Sequence, residues 1–132
     1  MLFRSNAGDA ERAAERLCYH GVKAAALSAG INAAGRKTAI NRLRGGSAAV
    51  LAATDAAARG LDIIGLTHVI NMEPPQTAEE YLHRAGRTGR MGAPGTAVTL
   101  VTEREAERLE AIAKKLGIQI EYIVNKIENG TK

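Results

Sequence analysis

At 132 residues the chain is long enough for one domain with a buried core and too short for two. Hydrophobic residues make up 45% of it and aromatics 3%, and tryptophan is absent, which predicts an aliphatic core in an ordinary folded α/β domain. The net charge of +4 admits an anionic partner such as nucleic acid without identifying one. No apolar run approaches the ~20 residues that cross a bilayer, and no basic-then-apolar signal layout opens the chain, so we expect no membrane partner and a cytoplasmic location.

Met1-Leu2-Phe3 reads as the tail of a buried strand that turns at Arg4-Ser5-Asn6-Ala7-Gly8. So short a strand leads us to expect further residues before Met1. Asp9 is placed to cap a helix over residues 10–20, with Ala10, Ala13, Ala14 and Leu17 on one face and Gly21 as its stop. Cys18, expected to be buried or half-buried there, is the sole cysteine. It excludes an internal disulfide and agrees with a reducing compartment; with three histidines and no Cys-x-x-Cys, no metal site is indicated.

Residues 22–27 predict a buried parallel strand, and 33–44 a helix with Ile40 and Leu43 inward and Gly45-Gly46 as its end. Gly30-x-x-x-x-Gly35-Arg36-Lys37-Thr38 imitates a phosphate-binding P-loop but shifts the lysine and hydroxyl by one position. On a helix one position is a rotation of about 100°, which aims both away from a phosphate. Residues 48–53 and 68–71 predict strands, the first followed by a helical turn over 56–58 and the second stopped at Met72-Glu73-Pro74-Pro75.

Thr77-x-x-Glu80 and Thr102-x-x-Glu105 have the spacing of capping boxes. The first opens a helix through Gly86, and the second a helix over 103–116, with Ala106, Leu109, Ile112, Ala113 and Leu116 inward and Gly117 as cap. Between them 96–101 predicts a strand, with Gly92, Pro94 and Gly95 as turn residues. Residues 118–120 are expected to add a short strand, 122–127 a helical turn, and 128–132 to fray. Strands alternating with helices predict a parallel sheet covered on both faces.

The densest chemistry lies in Tyr81-Leu82-His83-Arg84-Ala85-Gly86-Arg87-Thr88-Gly89-Arg90. Crowded positive charge is unfavourable unless an anion neutralises it. Arg87 and Arg90 are three apart and would share a face if the helix reached them, gripping one polyphosphate. The competing reading is a solvated basic helix end, since cations suit helix C-termini. Thr54-Asp55 falls just past a predicted strand, where ligands gather in parallel sheets. Asp55 and Arg59 are placed to pair with each other or with the arginine cluster.

His83-Arg84-x-Gly86-Arg87-x-Gly89-Arg90 resembles the last signature motif of the DEAD-box RNA helicases, and Ala53-Thr54-Asp55-Ala56-Ala57-Ala58-Arg59-Gly60-Leu61-Asp62 resembles their preceding one. Similar spacing and character run from about Leu2 to Val101. The resemblance implies a RecA-like α/β domain, a parallel β-sheet flanked by helices on both faces. It would be the second of two and occupy 1–132, with a short extension at 118–132. ATP would sit between this domain and an absent first RecA-like domain, which supplies the P-loop and holds most of the Mg2+ contacts.

By the same resemblance Arg90 is the arginine finger, Arg87 its companion on the phosphates, and Asp62 the acceptor for the ATP ribose. His83, Arg84, Asp55 and Arg59 would couple the two domains, although a helical histidine without the motif reads as a structural residue. Thr54, Arg36 and Gly60 would contact the RNA backbone, a contact that positions a strand without reading bases. Phe3 matches the family's first motif of this domain, whereas Asn6 replaces a threonine, Ser28-Ala29 a histidine-glycine pair and Ala33 a glutamine. These departures bear on RNA more than on ATP. Two other functions stay in view: a DNA-directed helicase or translocase domain, and a stand-alone nucleic-acid-binding module without ATPase activity.

Overall fold

The computed structural model describes residues 1–61 and 63–123, in which five parallel strands form one sheet. In chain order the elements are β1 (Leu2–Phe3), α1 (Ala7–Tyr19), β2 (Ala24–Leu27), α2 (Ala33–Arg44), β3 (Val50–Ala53) and α3 (Asp55–Ala58). β4 (His68–Asn71), α4 (Ala78–Ala85), a 3-10 turn at Arg90–Gly92, β5 (Thr96–Thr99) and α5 (Glu103–Leu116) follow. The parallel α/β architecture expected from the alternation is present. None of the described helices is long and apolar enough to cross a membrane.

The strands lie in the order β2-β3-β1-β4-β5. β1 has only two residues, yet it is the middle strand: Leu2 is aligned with Ala52 on one side and Ile70 on the other, Phe3 with Ala53 and Asn71. The chain leaves β1 toward β2 on one side and later crosses over β1 to reach β4 on the other. The carboxyl ends of β1, β3 and β4 therefore meet where the winding changes direction, the place at which open α/β sheets gather their ligands.

Alternation along the strands divides the core into two layers. Phe3, Leu27, Leu51, Ala53 and Val69 face α2 and α3, while Leu2, Ala24 and Ala52 face α1 through Ala10 and Ala14. Alanines on both sides of the second layer let α1 sit close to the sheet. The third layer element, α5, buries Leu109, Ile112 and Ala113 and packs beside α4, with Arg108 Nη1 donating to Gln76 Oε1 at 3.2 Å.

Several local expectations are corrected. Asn6, not Asp9, caps α1: its side chain accepts from Asp9 N at 2.9 Å, and the extended backbone of Asn6 sets the helix start three residues earlier. Cys18 is exposed, although it continues the Ala10–Ala14 stripe and its thiol donates to Ala24 O at 3.3 Å. At α4 the capping box is half made. Thr77 accepts from Glu80 N at 3.1 Å, but the Glu80 carboxylate reaches one residue further back, to Gln76 N at 2.7 Å. The box at Thr102 and Glu105 is complete.

No strand forms over 118–120. Gly117 turns the chain with φ +67°, and Tyr122 Oη donates to Glu110 Oε1 at 2.9 Å, so this segment returns toward α5 instead of reaching a sheet edge. Tyr122 and Ile123 are not helical, and the remainder of the expected turn and the 128–132 tail lie outside the described residues.

Candidate functional site

β3 ends at Ala53, and Thr54 then caps α3, its buried hydroxyl accepting from Ala57 N at 3.3 Å. That cap fixes Asp55 at the first position of α3, directed toward α4. Asp55 does not pair with Arg59. Its two carboxylate oxygens accept from Arg84 Nε at 2.8 Å and Nη2 at 2.7 Å, a two-pronged pair that only a guanidinium can make.

Among the described residues Arg84 is the buried charged side chain, 4% exposed. Beyond Asp55, its Nη1 donates to the main-chain oxygen of Glu73 at 3.1 Å, and its guanidinium lies 5.4 Å from the centre of the Phe3 ring. One side chain on α4 thus grips the ends of β1, β3 and β4 together. Arg84 is held by partners inside this domain, where its helix runs across the switch point. His83, the next residue back, points outward and approaches Glu79 at 3.9 Å.

The helix does not extend to the two finger candidates. α4 ends at Ala85 with Gly86 as its cap, whose N–H donates to Leu82 O at 2.8 Å. Arg87 and Arg90 therefore share no helical face; a loop presents them. Arg87 is half-buried and donates to the main-chain oxygen of Leu61, and Thr88 Oγ1 donates to Leu66 O at 2.5 Å. Arg90 is exposed at the start of the 3-10 turn. Gly89, with φ +66°, makes the bend before it.

Gly95 is more than a turn residue. A Cβ there would come within 2.3 Å of Gly89 N and 2.4 Å of Thr88 Oγ1, so the start of β5 holds the arginine loop by direct backbone approach. Arg36 also turns inward: Nη1 donates to Ala57 O at 2.8 Å and Nη2 to Arg59 O at 3.0 Å, pinning the loop that carries Arg59 and Gly60. Arg59 is exposed, and Gly60 takes φ +72°. Asp62 lies outside the described residues.

A neighbouring ion cluster was not anticipated from sequence. Arg4 meets Glu73 at 2.9 Å and Asp9 at 3.3 Å, Arg12 also pairs with Asp9, and Ser5 donates from N and Oγ to Glu73 Oε2 at 3.1 and 3.2 Å. The hydrogen bond from Arg12, helped by Asn6 and Arg4, holds the Asp9 carboxyl below the usual carboxylate range. The only signal was the charge pattern Arg4-Asp9-Arg12, whose partner Glu73 is far along the chain. Chemically, the site offers donors and positive charge. It suits phosphate oxygens and offers a metal ion no set of ligands: among the described residues no group of three or more His, Cys, Asp or Glu comes together.

Residues 1–92 match the helicase conserved C-terminal domain. The chain is 52% identical over 104 residues to the DEAD-box ATP-dependent RNA helicase CshC of Bacillus cereus, covering 79% of this chain and 27% of that protein. It is 41% identical over 120 residues to the ATP-dependent RNA helicase RhlB of Pseudomonas syringae pv. tomato, covering 91% and 30%. The chain therefore spans under a third of the length of these relatives. Among solved structures, a DEAD box protein from Methanococcus jannaschii superposes with a TM-score of 0.85 at 32% identity, over 93% of this chain and 34% of that one. The E. coli DEAD-box protein SrmB, bound to regulator of ribonuclease activity A, gives 0.88 at 32% over 99% and 78%. The chain belongs to the helicase conserved C-terminal domain family, as the second RecA-like domain of the DEAD-box RNA helicases.

Proposed function

We propose that this domain is the half of an ATP-dependent RNA helicase that completes a shared ATP site and holds the RNA backbone, and that it turns over ATP only with the first RecA-like domain. Phosphoryl transfer needs a held triphosphate, a metal, an oriented water and positive charge on the transition state. The described residues offer the last. Arg90 and Arg87 would grip the phosphate oxygens, Asp62 the ribose, and Mg2+ would be held by the phosphates and the partner domain. The observation that carries this reading is the brace on Arg84: it fixes the origin of the loop from which Arg87 and Arg90 emerge.

On the RNA side, Thr54 and Gly60 flank α3, and Arg36 of α2 sets the shape of the loop after α3 through the Ala57 and Arg59 carbonyls. Their task is to position the backbone, directly or through that loop. Closure of the two domains on ATP and RNA would then couple the sites, with Asp55, Arg59, His83 and Arg84 on the coupling side.

The test uses the intact protein. Arg90→Ala should lower RNA-stimulated ATP hydrolysis by roughly 10³-fold or more, as arginine fingers do, while RNA affinity stays within a few-fold of the parent. An equal loss of both would remove Arg90 from the finger role. Stimulation by DNA in place of RNA would move the domain to the DNA-directed class, and RNA binding with no turnover after the first domain is supplied would support a binding module.

A further inference from the structure

Between Gly30 and Asn71 five cations, Arg36, Lys37, Arg42, Arg44 and Arg59, stand against two carboxylates, Asp55 and Asp62. Asp55 is held by Arg84 from outside this segment. Most of the +4 of the chain therefore lies here, and all of these cations but Arg59 are on α2, which has no acidic residue.

The cations of α2 have different uses. Arg36 grips the Ala57 and Arg59 carbonyls. Arg42 and Arg44 lie in the last turn, where the helix dipole favours positive charge. Lys37 has neither reason to be there. It stands in the second turn, out of reach of the dipole, and its neighbours three and four positions away, Ala33, Ala34, Ile40 and Asn41, carry no charge. Lys37 and Asn41 are exposed, and among the described residues their side chains form no ion pair or hydrogen bond.

At about 100° and 1.5 Å per residue, Lys37, Asn41 and Arg44 form a row about 10 Å long on one side of α2. The row borders the loop that joins α3 to β4. At its start Arg36 bonds to the main chain of Arg59, whose side chain is exposed, and at its end Arg44 shares a hollow with Ile63, Ile64 and Gly65. Gly35, Thr38 and Arg42 lie on the opposite side of the helix, beside α1.

We propose that a single strand of RNA leaving the site at Thr54 and Gly60 continues along this row, with its phosphates against Lys37, Asn41 and Arg44. The proposal rests on the RNA reading given above and extends that site by one helix. A row one side chain wide matches one phosphate backbone, and contacts of this kind hold a strand without reading its bases. An acidic protein partner fits less well, because α2 exposes no apolar side chain larger than alanine, and protein interfaces are anchored by buried aromatic and large apolar groups.

The experiment measures fluorescence anisotropy of the intact protein, with a non-hydrolysable ATP analogue, on a uridine hexanucleotide and on a uridine strand of about twenty nucleotides. Lys37→Glu should weaken the long strand roughly fivefold and change the hexanucleotide by less than about twofold. Asn41→Lys should tighten the long strand about threefold, a gain that a folding defect cannot imitate. Lys37→Ala should lower the slope of log Kd against log salt by about 0.7 for the long strand alone, the share of one phosphate contact. ATP hydrolysis on saturating hexanucleotide should stay at the parent rate in all three variants. Hexanucleotide binding with a long strand indifferent to both Lys37→Glu and Asn41→Lys would overturn the extension and leave the RNA reading standing. Equal weakening of both lengths by Lys37→Glu would also overturn it, by placing Lys37 within the short site. A parent protein that binds neither length would remove the RNA reading itself and the extension with it.

Discussion

Arg84 replaces solvation with fixed partners: two bonds to Asp55, one to Glu73 O, and the Phe3 ring beside it. Removing one partner of such a buried pair is strongly destabilising, because the other charge is left uncompensated. Asp55 keeps 35% of its side chain exposed, so water recovers part of its loss. Arg84→Ala should lower unfolding stability by about 3 kcal/mol in urea titrations. Arg84→Lys should recover less than half of that, because an ammonium cannot match both oxygens in one plane. At Gly95 the mechanism is steric. Gly95→Ala should lower Tm and, by displacing Gly89, also reduce RNA-stimulated turnover of the intact protein beyond what stability loss explains; unchanged turnover would detach β5 from the arginine loop.

Among the elements, α4 and α5 use the same opening pattern to different effect. At α5 Thr102 and Glu105 satisfy one another's backbone donors. Thr102→Ala should therefore cost about 1 kcal/mol, measured by chemical denaturation. Glu80 of α4 instead ties down Gln76, so Glu80→Ala should loosen the Pro74-Pro75-Gln76 approach more than the helix, seen as faster amide exchange at Gln76. At the start of α1, Asp9 has its pKa lowered by the bond from Arg12. A lowered carboxylate pKa contributes stability that is present above the unfolded value near 3.8 and lost as pH falls through the lower folded value. Asp9→Asn should flatten the acid limb of the stability profile below that point and leave the neutral range with a small, salt-sensitive loss.

Across the whole molecule, the property that matters is the placing of three strand ends beneath one arginine. Local signals wrote much of the rest. The limits of α2, β4 and α5 follow from caps, glycines and apolar spacing that act within a few residues, and those were legible along the chain. So were the two long motifs, which carried the RecA-like fold and the family. What local spacing could not show is which strand stands beside which. β1, too short to look central, is bonded on both sides because Leu2 and Phe3 each face partners near residues 52 and 70, and pairing over such distances leaves no periodic trace. The same separation hid the ion cluster, in which Arg4 meets Glu73 from the neighbouring strand, whereas the pairing of Asp55 with Arg84, 29 positions away, was one of two that the sequence left open. Sequence by itself determined the order and nature of the elements from β1 to α5 and singled out the arginines whose chemistry suits phosphate, because caps, turns and guanidinium chemistry are local. Only the tertiary structure decided that Arg84 is a brace inside the domain, that Arg87 and Arg90 stand on a loop, and that β2 ends the sheet, because each depends on contacts between elements that are distant in the chain.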